Sequence, residues 1–188
     1  RRWDLNRLNF GIFVLHATQI SLFITIPFYL ISKGGIALSE HWIIYLPILF
    51  LSFVFMVPMI IFSQRWNLSK QTFLVSIFFL FLSQFFFIHF SYGILSISLA
   101  LLIYFIGFNF LEASLPSLVS KIAPIERKGF SLGVYNTCQS LGMFFGGVLG
   151  GISANYFGYE GVFYFCGIII FIWFILSLSI KMPDLKKV

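Results

Sequence analysis

Six stretches of this chain are long and apolar enough to cross a bilayer, and that count constrains the fold more than any single motif. They lie at approximately 8–31, 42–63, 71–90, 92–120, 130–156 and 160–180. A hydrocarbon core about 30 Å thick needs roughly 20 apolar residues of helix. Backbone polar groups inside it must be satisfied internally, which restricts the segments to helices. The separators are charged or turn-like: SKGGIALSE, QRWNLSK, the uncharged HFSYG, APIERKG and YFGYEG. The expected architecture is therefore an all-α membrane protein, a single six-helix transmembrane bundle over 1–188.

Composition agrees. Only 10% of residues are charged, against about 25% in soluble domains, and mean hydropathy is +0.99. The 27 phenylalanines are read as lipid-facing bulk rather than an aromatic binding site. Cys138 and Cys166 fall in separate apolar runs without ligand spacing, so they are packing residues and not a disulfide or metal site. No cofactor is implied. The net charge of +6 would suit nucleic acid, but the placement of its sources argues otherwise. With a cytoplasmic N-terminus, the inner side carries Arg1, Arg2, Arg7, Arg65, Lys70, Lys121, Arg127, Lys128, Lys181, Lys186 and Lys187. The outer side carries only Lys33. Such a bias fixes topology and favours contact with anionic lipid, and it removes nucleic acid as a partner. Both termini are then expected to be cytoplasmic. The opening RRWDLNRL has no initiator Met and leads into no signal peptide, so the chain reads as a segment of a longer protein.

Polar residues within lipid need partners or water, and they mark the helices that face an interior. The first run carries His16, Thr18, Gln19 and Thr25; the fourth carries Asn109 and Glu112; the fifth carries Asn136, Thr137 and Gln139. The third and sixth runs, crowded with Phe, Ile and Leu, are expected to be peripheral. His16 and Gln19, three residues apart, are candidates for a proton or substrate pathway, since His titrates near neutrality. Glu112 is the sharpest candidate, because a mid-span acid costs about 2.5–3.5 kcal/mol on insertion scales. Pro116 lacks the N–H that would bond the Glu112 carbonyl, which predicts a kink or hinge there, with Asn109 on the same face. Two readings of Glu112 stand side by side: proton or substrate handling, and a structural hydrogen bond to the fifth helix through Asn136 or Gln139.

The run LGMFFGGVLGG places Gly142, Gly146, Gly147, Gly150 and Gly151 at repeated spacings of four. This is a helix-packing stripe where another backbone approaches closely; it is not a phosphate loop, since no Lys follows as that motif requires. An intramembrane enzyme is not supported: no Gly-x-Ser-Gly nucleophile with a His partner occurs, and no catalytic residue is assigned.

The block FNFLEASLPSLVSKIAP running into KGFSLGVYNTCQSLGMFFGGVLGG (108–151) resembles the C-terminal six-helix half of major facilitator superfamily transporters. LNFGIFVLH (8–16), EHWIIYL (40–46) and VPMII (57–61) support it. The likeness is greatest to bacterial YajR-type transporters, which are drug–proton antiporter-like. It implies two inverted three-helix repeats, about 8–90 and 92–180, with the first and fourth helices lining a central cavity. It further implies proton-coupled efflux of a small molecule by alternating access, across a bacterial inner membrane. The partner would be an N-terminal six-helix half or a second copy. The alternative is a non-transporting remnant, or a six-helix unit that homodimerises. The superfamily's best loop signature belongs to the other half; its weaker counterpart here, SQRWNLSKQ, is basic but has neither Asp nor Gly.

Overall fold

A computed structural model describes residues 2–90 and 92–181. Of the charge asymmetry, Arg1, the Arg2 side chain, Lys186 and Lys187 lie outside the described residues. The described chain is all helical: α1 (Arg2–Ser32), α2 (Trp42–Arg65), α3 (Ser69–His89), α4 (Ile94–Ile122) and α5 (Lys128–Leu178). Short 3₁₀ turns, Leu38–Glu40 and Ile125–Arg127, precede α2 and α5. All five long helices are apolar enough to cross a membrane. At the uncharged separator HFSYG, α3 ends at His89 and α4 begins at Ile94, just after Gly93 with a φ of 84°.

Six helices were expected and five are found, because the last two runs join. Within the separator YFGYEG two helices meet directly across a kink at Gly158, whose φ of 70° and ψ of 179° are not helical. A straight helix of the 51 residues of α5 would be about 77 Å long, more than twice the thickness of a bilayer core. Gly158, free of a Cβ, supplies the break.

The dominant packing is α1 along α5, with α3 against both α4 and α5, and α2 on the flank of α4. Core residues on α1 recur at Leu8, Ile12, Leu15, Leu22 and Ile26, all essentially inaccessible, which is the three-four spacing of one helix face. Opposite them lie Tyr104, Leu111 and Leu115 of α4, and Phe163, Cys166, Ile170 and Trp173 of α5. Cys166 is thus a core residue, and both cysteines are free. Burial within this bundle differs from helix to helix. The third helix buries Ser76, Ser83 and Gln84, whereas α2 is the least covered of the five. A Phe-rich average cannot separate a packed face from a lipid face, since both are apolar.

The glycine stripe is a seam against α1, built from one of its two faces. A Cβ on Gly142 or Gly146 would run into the backbone of Phe13 or Ala17, and one on Gly150 would meet Ser21 Oγ at 2.7 Å. Phe13, Ala17 and Ser21 repeat the spacing of four on α1, so two matched ladders interlock. The Ser21 hydroxyl donates to the Gly146 carbonyl at 2.9 Å. Gly147 only touches the Ile20 side chain at 3.7 Å, and Gly151 faces open space. Two of the five expected packing glycines therefore lie off the seam.

At the far end of α1, Lys33 Nζ lies 3.4 Å from Glu160 Oε1 and 3.3 Å from the Tyr29 hydroxyl, with its charge 4.5 Å above the Tyr29 ring. Phe28 stacks on Tyr159 and Tyr29 meets Phe163 edge-on, so this cluster clasps the chain just after the Gly158 break. Partial burial would lower the Lys33 pKa, but the bonds and charges of Tyr29 and Glu160 outweigh it and leave the value raised. The clasp's contribution is therefore full at neutral pH and is lost only as pH rises through that raised value. Exposed pairs contribute about 0–1 kcal/mol. Lys33→Met is accordingly expected to lower Tm by no more than a few degrees; a loss of the folded state on melting would show the clasp to be much stronger.

Candidate functional site

The polar residues of three helices meet where α1, α4 and α5 converge. His16 on α1 is 3% exposed. Its Nδ1 lies 3.3 Å from the Ile12 carbonyl one turn back. Donation there places the proton on Nδ1 and leaves Nε2 an acceptor. Gln139 of α5 supplies the donor: its amide nitrogen stands 2.8 Å from His16 Nε2. The same nitrogen lies 3.5 Å from Glu112 Oε1 of α4, so one amide group spans base and acid. Glu112 Oε2 is 3.7 Å from His16 Nε2 and is buried without a hydrogen-bond partner among the described residues.

This arrangement has two self-consistent hydrogen-bond patterns. With neutral His16, the Gln139 amide donates to both neighbours. With a protonated ring, Nε2 becomes a donor, and the amide must turn its oxygen toward the ring. The imidazolium then also faces the nearby Glu112 oxygen as an ion-pair partner. A proton placed on His16 would thus change contacts among α1, α4 and α5. Such a bistable polar link is the kind of element on which a conformational switch is built.

The surroundings close one side of this group. Phe108 meets the His16 ring edge-on at 5.9 Å. Thr18 and Tyr104 join α1 to α4 through a 3.2 Å hydroxyl contact. Tyr135, one turn before Gln139, is buried with a hydroxyl that has no partner among the described residues. Neither tyrosine was singled out from the sequence. Glu112 keeps its side chain 38% exposed, so the cluster is open on the acid's side. Pro116 lies within α4, which continues to Ile122, one turn beyond the acid.

The remaining candidates go elsewhere. Asn109 donates to Ser52 Oγ at 2.8 Å and so ties α4 to α2. Gln19 is half-buried and makes no side-chain hydrogen bond among the described residues. Asn136 is exposed, which leaves Gln139 as the fifth-helix partner of Glu112. Thr18, Ser21 and Thr25 are buried and bonded back to their own helix, so most polar groups of α1 are satisfied inside the bundle. No group of three or more His, Cys, Asp or Glu that could hold a metal occurs among the described residues.

Comparison with known proteins agrees with this architecture. Residues 8–187 match the Major Facilitator Superfamily. The chain is 33% identical over 179 residues to the inner membrane transport protein YajR of Escherichia coli K12, covering 95% of this chain and 39% of that protein. It is 36% identical over 177 residues to an uncharacterized transporter of Buchnera aphidicola subsp. Baizongia pistaciae, covering 93% and 44%. A shorter likeness, 38% over 80 residues, joins 40% of the chain to 16% of a probable sphingolipid transporter, spinster homolog 1, of Arabidopsis thaliana. The chain spans about two-fifths of the length of the first two of these relatives. A match across nearly the whole chain, on a multi-pass helical bundle, places it in the Major Facilitator Superfamily.

Proposed function

We propose that this chain is one six-span bundle of a proton-coupled secondary carrier that exports a small molecule by alternating access. The single observation that carries the reading is the His16–Gln139–Glu112 link, an acid and a base joined by one amide across three helices. Ionisable groups at membrane depth are costly, and they mark ion or substrate pathways by default. In this reading Glu112 carries the proton, His16 senses it, and Gln139 transmits the change. Pro116 gives α4 a hinge next to the acid. Asn109 holds α4 to α2, and Gln19 borders the pathway one turn from His16.

The topology follows the same reading. The Gly158 break divides α5 into two crossings, which gives six in all and puts both termini on the cytoplasmic side, where Arg65, Lys70, Lys121, Arg127 and Lys128 gather. Two inverted repeats, about 8–90 and 92–180, would then pseudo-symmetrically pair. The membrane is the bacterial inner membrane, as for the inner membrane transport protein of E. coli that the chain resembles. The second bundle is an N-terminal six-helix half, resting on faces such as that of α5 carrying Phe144 and Val148, which are exposed here. The test is transport by the two-bundle protein in liposomes: an imposed pH gradient should drive solute movement. A six-helix homodimer that transports would identify a second copy as the partner, and no movement under any gradient would contradict the carrier reading.

A further inference from the structure

A second polar site lies apart from the three-helix link. Between the end of α2, the start of α3 and the last turns of α4 is a cavity of about 90 Å³. Its polar lining is Ser63, Gln64, Ser69, Ser114, Ser117 and Lys121, and the rest of the wall is apolar. Transport substrates occupy pockets of about 300–1,000 Å³, so this one is too small to be a substrate chamber. It suits a small oxyanion.

Three features give the cavity its sign. Every lining polar side chain can donate a hydrogen bond, Lys121 carries a full charge, and no carboxylate is present. Ser69 is the first residue of α3, whose N-cap, Leu68, provides no side-chain cap. The first N–H groups of this helix therefore remain unpaired at its positive end. The third feature is independent of both. Ser63 is 4% exposed, yet its hydroxyl makes no hydrogen bond among the described residues. On the same two helices, α2 and α3, the buried hydroxyls of Ser52, Ser76 and Ser83 each donate to their own helix. Ser114 and Ser117 of α4 likewise make no side-chain hydrogen bond among the described residues.

We propose that this cavity is a binding site for a phosphate-type oxyanion, held by Lys121, the Ser63 and Ser114 hydroxyls and the uncapped start of α3. At this end, with Arg65, Lys70 and Lys121 around it, the phosphodiester of an anionic inner-leaflet lipid and free phosphate present the same chemistry. The proposal does not depend on the proton-link reading, since none of its residues belongs to that link.

The experiment is thermal unfolding of the chain in a non-ionic detergent. Inorganic phosphate is compared with chloride at matched ionic strength, and phosphatidylglycerol-doped micelles are compared with diacylglycerol-doped ones. Ligand at a hundredfold excess over Kd should raise Tm by roughly 5–11 °C. The rise should vanish in Lys121→Gln and in Ser63→Ala/Ser114→Ala, and it should persist in Arg127→Gln, whose charge lies outside the cavity. Each variant's Tm in chloride reports that it still folds. A rise with both ligands assigns the site to free oxyanions as well as lipid, and a rise with phosphatidylglycerol alone assigns it to the headgroup. No rise with either, or a rise that survives both cavity variants, overturns the proposal.

Discussion

Gly146→Val is expected to abolish the folded bundle, whereas Gly151→Val is expected to leave it intact. Both residues are mid-helix glycines in the same run, so helix propensity predicts similar, small effects. What differs is the neighbour. A Cβ at 146 would enter the backbone of Ala17, while one at 151 meets nothing within 4 Å. Ordinary overpacking costs about 1–3 kcal/mol because side chains give way, but the Ala17 backbone cannot move without displacing α1. That displacement would also separate Ser21 from the Gly146 carbonyl and pull His16 away from Gln139. Domains are stable by only about 5–15 kcal/mol, and losing the main helix pairing removes much of that margin. The measurement is the monodisperse fraction after extraction in mild detergent. Gly151→Val should match the wild type and Gly146→Val should aggregate; equal behaviour would show that the seam does not bear on stability.

Glu112→Gln is the second large effect, and it acts on coupling rather than on folding. The substitution keeps the shape and a hydrogen-bonding oxygen for Gln139, so the α4–α5 contact survives. It removes the group proposed to exchange a proton, a carboxylate that stands 3.7 Å from His16 Nε2. The expected result is full expression, retained solute exchange at equal pH on both sides, and loss of accumulation driven by a pH gradient. Gln139→Ala should impair the same step by a different route. It leaves His16 Nε2 without its donor and opens the link between base and acid, so exchange and accumulation should both fall.

The long helices were readable because each apolar run is close to one bilayer thickness and ends in charge or a turn. The join of the last two was not. Nothing in YFGYEG distinguishes a one-residue break at Gly158 from a short loop, since both need glycine and sit at the interface. The glycine spacing was readable, but it describes two faces at once, 142/146/150 and 147/151. Only the small residues Ala17 and Ser21 on α1 decide between them, and their relevance depends on which helix packs there. His16, Glu112 and Gln139 were each visible as polar groups in lipid. Their meeting was not fully visible, because 123 residues separate the first from the last. Asn109 and Gln19 show the limit of spacing arguments. A separation of three turns a residue about 60° around the helix, enough to give Asn109 to α2 and to leave Gln19 without a hydrogen-bond partner among the described residues. Tyr104 and Tyr135 were hidden by composition: in a chain that is 21% aromatic, two tyrosines carry no signal until their hydroxyls are placed.

The most direct test of the account is gradient-driven transport by the two-bundle protein reconstituted in liposomes, wild type against Glu112→Gln, with equal amounts of folded protein in each. The account predicts that an imposed pH gradient drives solute accumulation in the wild type, and that Glu112→Gln falls to the level of protein-free liposomes while still exchanging solute without a gradient. Accumulation by Glu112→Gln equal to that of the wild type would contradict it, leaving Glu112 as a structural bond between α4 and α5.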